Sequence, residues 1–196
     1  MTYTVHGYNK SALVGEKGVN LCTWLWPDNF KKGPEKGHDM ECIQTGLRIE
    51  VKADQYLFQL GASSMYPADY DCAFNGSKRS GNFFIERLGN VEEKRLGGPW
   101  KAKADGCTLY FYMFIYELVM WSIHNDDLFN FMKNFDRLPS LSVVMNRDRN
   151  NGQIYYSEGY IIPRWVLHEQ GIRMVGPIAI CPSMQTLEAI LSPARM

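Results

Sequence analysis

The chain switches between two hydrophobic periods. From Ser11 onward, apolar residues recur at helical spacing (Val14, Leu21, Leu25), and Pro27 follows at once. That pattern predicts a helix over 12–26, with Ser11 as its N-cap. A polar loop rich in Gly, Pro and Lys, DNFKKGPEKGHD, comes next. The period then falls to two. Met40 to Ile43 and Leu47 to Ala53 predict a hairpin turning at Gln44-Thr45-Gly46. Along the stretch RIEVKAD, Ile49 and Val51 face one way, while Arg48, Glu50 and Lys52 face the other.

Further along, NFFIERL (82–88) reads as a strand, and KRLGGPWKAKADG (94–106) as a glycine turn opening a short helix over 100–104. CTLYFYMF reads as a strand buried on both faces, with LVMWSIH as another. Asn125, followed by Asp126 and Asp127, starts a helix that runs to about Phe135. Asn150-Asn151-Gly152 signals a hairpin before QIYYSEGYII. Pro163 falls in the first turn of a final helix, and Gly171 at its end. The order predicts a single mixed α/β domain over 1–196. Its one central sheet would have about four or five strands, with helices on both sides.

Composition narrows the chemistry. The 196 residues are 45% hydrophobic, enough for a sizeable core without staples. Formal net charge is zero, which excludes coating of nucleic acid by bulk charge but allows a local basic groove beside an acidic site. The five cysteines are an odd count with no CxxC, and no apolar signal segment opens the chain. The longest apolar run, LYFYMFIYELVMW, is interrupted by Glu117 and too short for a membrane helix. A cytoplasmic protein is the expectation. The four histidines show no HxxxH or HxH spacing, and there is no GxxxxGK[ST] or GxSxG.

The hairpin carries the candidate chemistry. Asp39 lies at the start of its first strand, eleven residues before Glu50, so an Asp, a Glu and Lys52 converge at one end. Two carboxylates hold Mg²⁺ or Mn²⁺ while leaving water positions open. A lysine beside them orients or deprotonates water, or stabilises developing negative charge. The backbone carbonyl of Val51 is a further candidate ligand. Glu41 shares a strand face with Asp39, and the pattern alone does not separate the two.

Asp39 followed by Glu50-Val51-Lys52 resembles the D…(D/E)-x-K signature of the PD-(D/E)XK nuclease superfamily, with His38 in place of the proline. The family spacing favours Asp39 over Glu41. The resemblance extends from about residue 15 to 115. Glu16, in the first helix, matches a helical metal-assisting glutamate of resolvase-like members. The stretch from Ser80 to Glu86, then Gly97 to Asp105, is similar to a pattern in phage-type members. The resemblance implies a restriction-endonuclease-like mixed central sheet flanked by helices, with its catalytic core over about 11–115. It implies a Mg²⁺- or Mn²⁺-dependent endodeoxyribonuclease, restriction-like or acting on Holliday junctions and other branched DNA. Asp39 and Glu50, with Val51 and Glu16, would hold metal, Lys52 would handle the water, and Glu86 would support the site. Lys78, Arg79, Lys101 and Lys103 would contact DNA. A homodimer and a phage origin are implied by the same analogy. An exonuclease and a catalytically silent DNA-binding module of the same fold are the alternatives.

Overall fold

The computed structural model describes residues 5–6, 11–54, 82–115, 118–134, 142–147 and 153–196. The first helix, α1 (Ser11–Leu25), leads into a meander of β2 (Phe30–Lys32), β3 (Met40–Cys42) and β4 (Arg48–Asp54). The very short β1 (Val5–His6) precedes it. Beyond residues 55–81 come β5 (Asn82–Asn90), β6 (Arg95–Leu96) and α2 (Gly98–Ala104). Two buried strands, β7 (Leu109–Phe114) and β8 (Val119–His124), precede α3 (Asn125–Asn134). The C-terminal part comprises β9 (Ser142–Arg147), β10 (Ile154–Pro163), α4 (Arg164–Glu169), β11 (Met174–Ala179) and α5 (Met184–Leu191).

The described strands form two sheets. One is six-stranded, in the order β11-β8-β7-β4-β3-β2, and the other five-stranded, β1-β9-β10-β5-β6. In the first, β4 runs antiparallel to β3 and parallel to β7, in the register Glu50↔Tyr110 and Lys52↔Tyr112. A parallel pair needs a crossover, and here the crossover carries β5, β6 and α2. The sheet is therefore mixed, and the chain is α/β, as its pattern predicts.

The alternation of β4 decides which face carries what. Ile49, Val51 and Ala53 pack with Cys22 and Trp26 of the α1 region and with Leu187 and Ile190 of α5. On the opposite face, Tyr110, Tyr112 and Phe114 pack against Phe83 and Ile85 of β5, Ala102 of α2, and Leu128 and Met132 of α3. Glu50 and Lys52 belong to this second face by register.

The expectation of one sheet with helices on both sides is corrected. The second face is covered partly by another sheet, because β10 pairs with both β5 and β9 and so gathers the remaining strands into a layer of their own. The helix at 164–169 is not the last one. Ser183, whose hydroxyl accepts from the Thr186 N–H, caps α5 after it. The apolar run around residues 109–121 forms β7 and β8, all buried at Leu109–Phe114. Among the described residues no helix is long and apolar enough to cross a membrane. The turn at 150–152 lies outside the described residues, although the strands on either side of it pair antiparallel.

Candidate metal-dependent active site

The site forms where β3 leaves the sheet. The β3–β4 ladder ends with Met40↔Ile49, and the chain before it folds back so that Gly33 N–H donates to Asp39 C=O at 2.9 Å. Val51 N–H, two residues beyond Ile49, points to that same edge and has lost its strand partner. Asp39 replaces it, its Oδ2 accepting from Val51 N–H at 2.9 Å. A strand residue's N–H and C=O point to one edge, so the Val51 carbonyl also faces the opening. Glu41 is held elsewhere. It forms a cross-strand ion pair with Lys31 on the adjacent β2 at 3.0 Å, with His38 at 3.4 Å on its other side. The geometry thus separates the two acids that the pattern left equivalent.

Glu50 is buried, and Lys101 Nζ donates to its Oε2 at 2.5 Å. The same Nζ lies 2.9 Å from Gly37 O, 3.4 Å from Asp105 Oδ2 and 3.8 Å from Asp39 Oδ1. Asp39 and Glu50 therefore meet around one cation position. Lys101 reaches it because α2 starts tight against β5. Gly98 has φ +46°, and a Cβ there would lie 2.5 Å from Glu86 O. Gly97 is as constrained, with a Cβ meeting Glu86 Cβ and Gly89 N at 2.9 Å. Only a Gly-Gly pair lets the helix approach this closely.

Lys52 points from the same face of β4. Its Nζ donates to Glu86 Oε1 at 3.0 Å and lies 5.6 Å from the Phe84 ring centre. Asp54, next along that face, accepts from the Tyr112 hydroxyl. Asp39, Glu50, Lys52, Glu86, Lys101 and Asp105 line a cleft of about 890 Å³, together with Glu16, Lys32, Lys36 and Arg95.

The electrostatics follow from burial. Desolvation, helped by the neighbouring Asp39 charge, raises the Glu50 pKa to about 8 against the pull of Lys101. Asp39 is raised for the same first reason, with Lys101 and the Val51 N–H opposing. For Lys52, burial disfavours the charge, but the Glu86 and Asp54 carboxylates outweigh it and its pKa is raised. It is an ammonium at neutral pH.

Among the described residues no group of three or more His, Cys, Asp or Glu side chains is arranged to enclose a metal ion. The donor set still fits Mg²⁺, which is commonly held by one or two carboxylates and keeps several waters. Asp39 and Glu50 supply the carboxylates and Val51 the carbonyl. Both carboxylates lie within 3.8 Å of one nitrogen, so they border a single cation position. The Tyr110 hydroxyl adds an orphan. It is fully buried, aligned with Glu50 across the β4–β7 pair, and has no hydrogen-bond partner among the described residues.

The other sequence candidates fall unevenly. Glu16 is exposed on α1 and lines the cleft. Glu86 reaches the site through Lys52. Lys101 sits inside the carboxylate cluster, not on an open DNA-facing surface. Lys103 pairs with Asp126 of α3 at 2.9 Å and is not among the residues lining the cleft. Lys78 and Arg79 lie outside the described residues. Sequence reasoning missed Arg95, which the β5–β6 hairpin lifts to the cleft wall. Lys32 and Lys36 stand on the β2–β3 side. None of these three has an ion-pair partner among the described residues, so they are the cleft's available cations. The sequence pattern ends the preceding strand at residue 88 and gives 94–106 as a glycine turn before a helix, so β6 and the side on which Arg95 emerges are not legible in it.

Comparison of the chain with family models, with curated proteins and with solved structures gave no significant match.

Proposed function

We propose that the chain is a Mg²⁺- or Mn²⁺-dependent deoxyribonuclease of the PD-(D/E)XK type with a restriction-endonuclease-like fold, acting as an endonuclease on duplex or branched DNA. The observation that carries this reading is the meeting of Asp39, Glu50 and the Val51 carbonyl edge in one cleft, with the Lys52 ammonium on the same strand face. The resemblance of the D…ExK series supplies the reaction class.

In this reading Asp39 and Glu50 hold the ion, and Val51 C=O completes the protein's share of its ligands. A divalent ion held there would supply a water of lowered pKa and positive charge beside the scissile phosphate. Lys52, kept protonated by Glu86 and Asp54, donates a hydrogen bond to the attacking water or the developing phosphate charge and is not the base. Glu86 fixes the direction of the Lys52 amine. Lys32, Lys36 and Arg95 would grip flanking phosphates. A homodimer follows only from the need to cut two strands.

The test is cleavage of linear duplex, single-stranded and four-way-junction DNA, with Mg²⁺, Mn²⁺ or EDTA, by the wild-type protein and Glu50→Gln. Metal-dependent cutting lost in the variant is expected, and the preferred substrate names the job. DNA binding without cutting of any substrate would move the reading to a silent binding module.

A further inference from the structure

Lys101 is a cation placed where the metal reading puts a metal. Its Nζ has four oxygens around it: Glu50 Oε2 at 2.5 Å, Gly37 O at 2.9 Å, Asp105 Oδ2 at 3.4 Å and Asp39 Oδ1 at 3.8 Å. Three are carboxylate oxygens and one is a carbonyl, the oxygen donors that a hard divalent ion takes. We infer that Lys101 is the exchangeable cation of this site: its ammonium holds the cation position between Asp39 and Glu50 in the metal-free protein, and a divalent ion displaces it into the cleft. The inference rests on the metal-site reading above.

Several features make the exchange a side-chain event. The Lys101 backbone is pinned, because Gly97 and Gly98 press the start of α2 against Glu86. The side chain is flexible and 31% exposed, and it borders the 890 Å³ cleft, so the ammonium has somewhere to go. An ion bonded to Asp39 and Glu50 at about 2.1 Å would lie too close to the present Nζ for both charges to stay. The neighbouring carboxylates bear this out as a balance. The cleft is lined by six acids (Glu16, Glu35, Asp39, Glu50, Glu86, Asp105) against five Lys and Arg (Lys32, Lys36, Lys52, Arg95, Lys101). Lys101 therefore leaves the free cleft close to neutral, and a divalent ion turns it net positive. Metal binding and the binding of a polyanion are then coupled through this one side chain, and the coupling is reciprocal.

The test is direct Mn²⁺ binding, followed by the electron paramagnetic resonance of free Mn²⁺, for the wild-type protein, Lys101→Met and Glu50→Gln. Circular dichroism checks each fold. Wild-type binding that is lost in Glu50→Gln locates the ion. Lys101→Met should then bind Mn²⁺ about 5- to 150-fold more tightly, the usual range of such couplings. Unchanged or weaker binding by a folded Lys101→Met overturns the exchange and leaves the metal site standing. No Mn²⁺ binding by the wild-type protein would instead remove the metal-site reading, and the exchange with it. A second measurement needs no substitution at Lys101. In wild-type protein with labelled lysine side chains, the Lys101 amine resonance, assigned with Lys101→Arg, should shift in step with Mg²⁺ occupancy. An amine signal unmoved at saturating Mg²⁺ also overturns the proposal.

Discussion

Glu50→Gln should make the metal-free protein more stable, and increasingly so as pH rises. In the folded state the Glu50 pKa stands near 8, first because the carboxyl is buried and then because Asp39 is beside it. In the unfolded chain it returns to its ordinary 4.5. A folded pKa above the unfolded one means that the native state binds the proton more tightly. The contribution is fully present below pH 4.5, falls as the unfolded chain ionises, and is gone once pH passes the folded value. Each pKa step is worth about 1.4 kcal/mol, so the wild-type protein loses at most about 5 kcal/mol from this group across that window. Relaxation and water entry around the ion bring the expected loss to about 2 kcal/mol. Glutamine keeps an oxygen for Lys101 Nζ and has no proton to lose. The stability gap, variant minus wild type, should be near zero at pH 5 and about 2 kcal/mol at pH 8.5.

Urea denaturation in EDTA at pH 5, 7 and 8.5 measures this gap, and at this chain length it corresponds to roughly 4–8 °C in Tm. Taking the difference between the two proteins cancels the titrating groups that do not interact with Glu50. Saturating Mg²⁺ should reverse the order, because only the wild-type site would gain binding energy, about 2.7 kcal/mol at one hundred times Kd. Parallel pH profiles in EDTA, or a variant less stable at pH 8.5, would refute the claim that burial and Asp39 dominate over Lys101.

Three further outcomes follow from the same geometry. Lys52→Ala should lower the cleavage rate by about 10²–10⁴-fold with DNA affinity in Ca²⁺ unchanged; retained cleavage removes Lys52 from the mechanism. Arg95→Gln, and Lys32→Gln with Lys36→Gln, should each weaken DNA binding in Ca²⁺ and reduce the slope of log K against log salt by about 1 per lost phosphate contact, whereas Lys103→Gln should leave the slope alone. Gly98→Ala should cost more than about 1 kcal/mol, because a Cβ would stand 2.5 Å from Glu86 O; a urea midpoint equal to wild type would show that α2 can move off β5.

The local elements could be read because their signals are local. Ser11 and Pro27 bracket α1, the period-two run gives β4, and Asn125 with its two aspartates opens α3. What could not be read was long-range. β2 is three residues long and is defined by pairing with β3, not by its own pattern. The second sheet exists because β10 has partners on both edges. At the site, the convergence of Asp39, Glu50 and Lys52 could be anticipated from strand alternation and hairpin register. The placement of Lys101 could not, since it depends on how far Gly97 and Gly98 let α2 descend onto Glu86. Counting lysines near a motif assigns them to DNA by default, and only packing shows that Lys101 and Lys103 are already held by carboxylates.

The arrangement also weighs enzyme against silent binder. A binding module needs cations on its surface, and Lys32, Lys36 and Arg95 would serve. It gains nothing from two carboxylates withdrawn from water, each with its pKa raised by burial, nor from a lysine held by Glu86 with the Asp54 charge nearby. Such groups cost stability in the metal-free protein. Lys101 offsets part of that cost, and in the proposed reading a divalent ion that uses both acids at once would offset the rest. Lys52 strengthens the argument, because its carboxylate neighbours keep it charged while it borders the cleft. A module that had given up chemistry would be free to lose that pair. The Glu50→Gln comparison therefore bears on function as well as on stability: a site that is strained without metal and relieved with it is built around the ion.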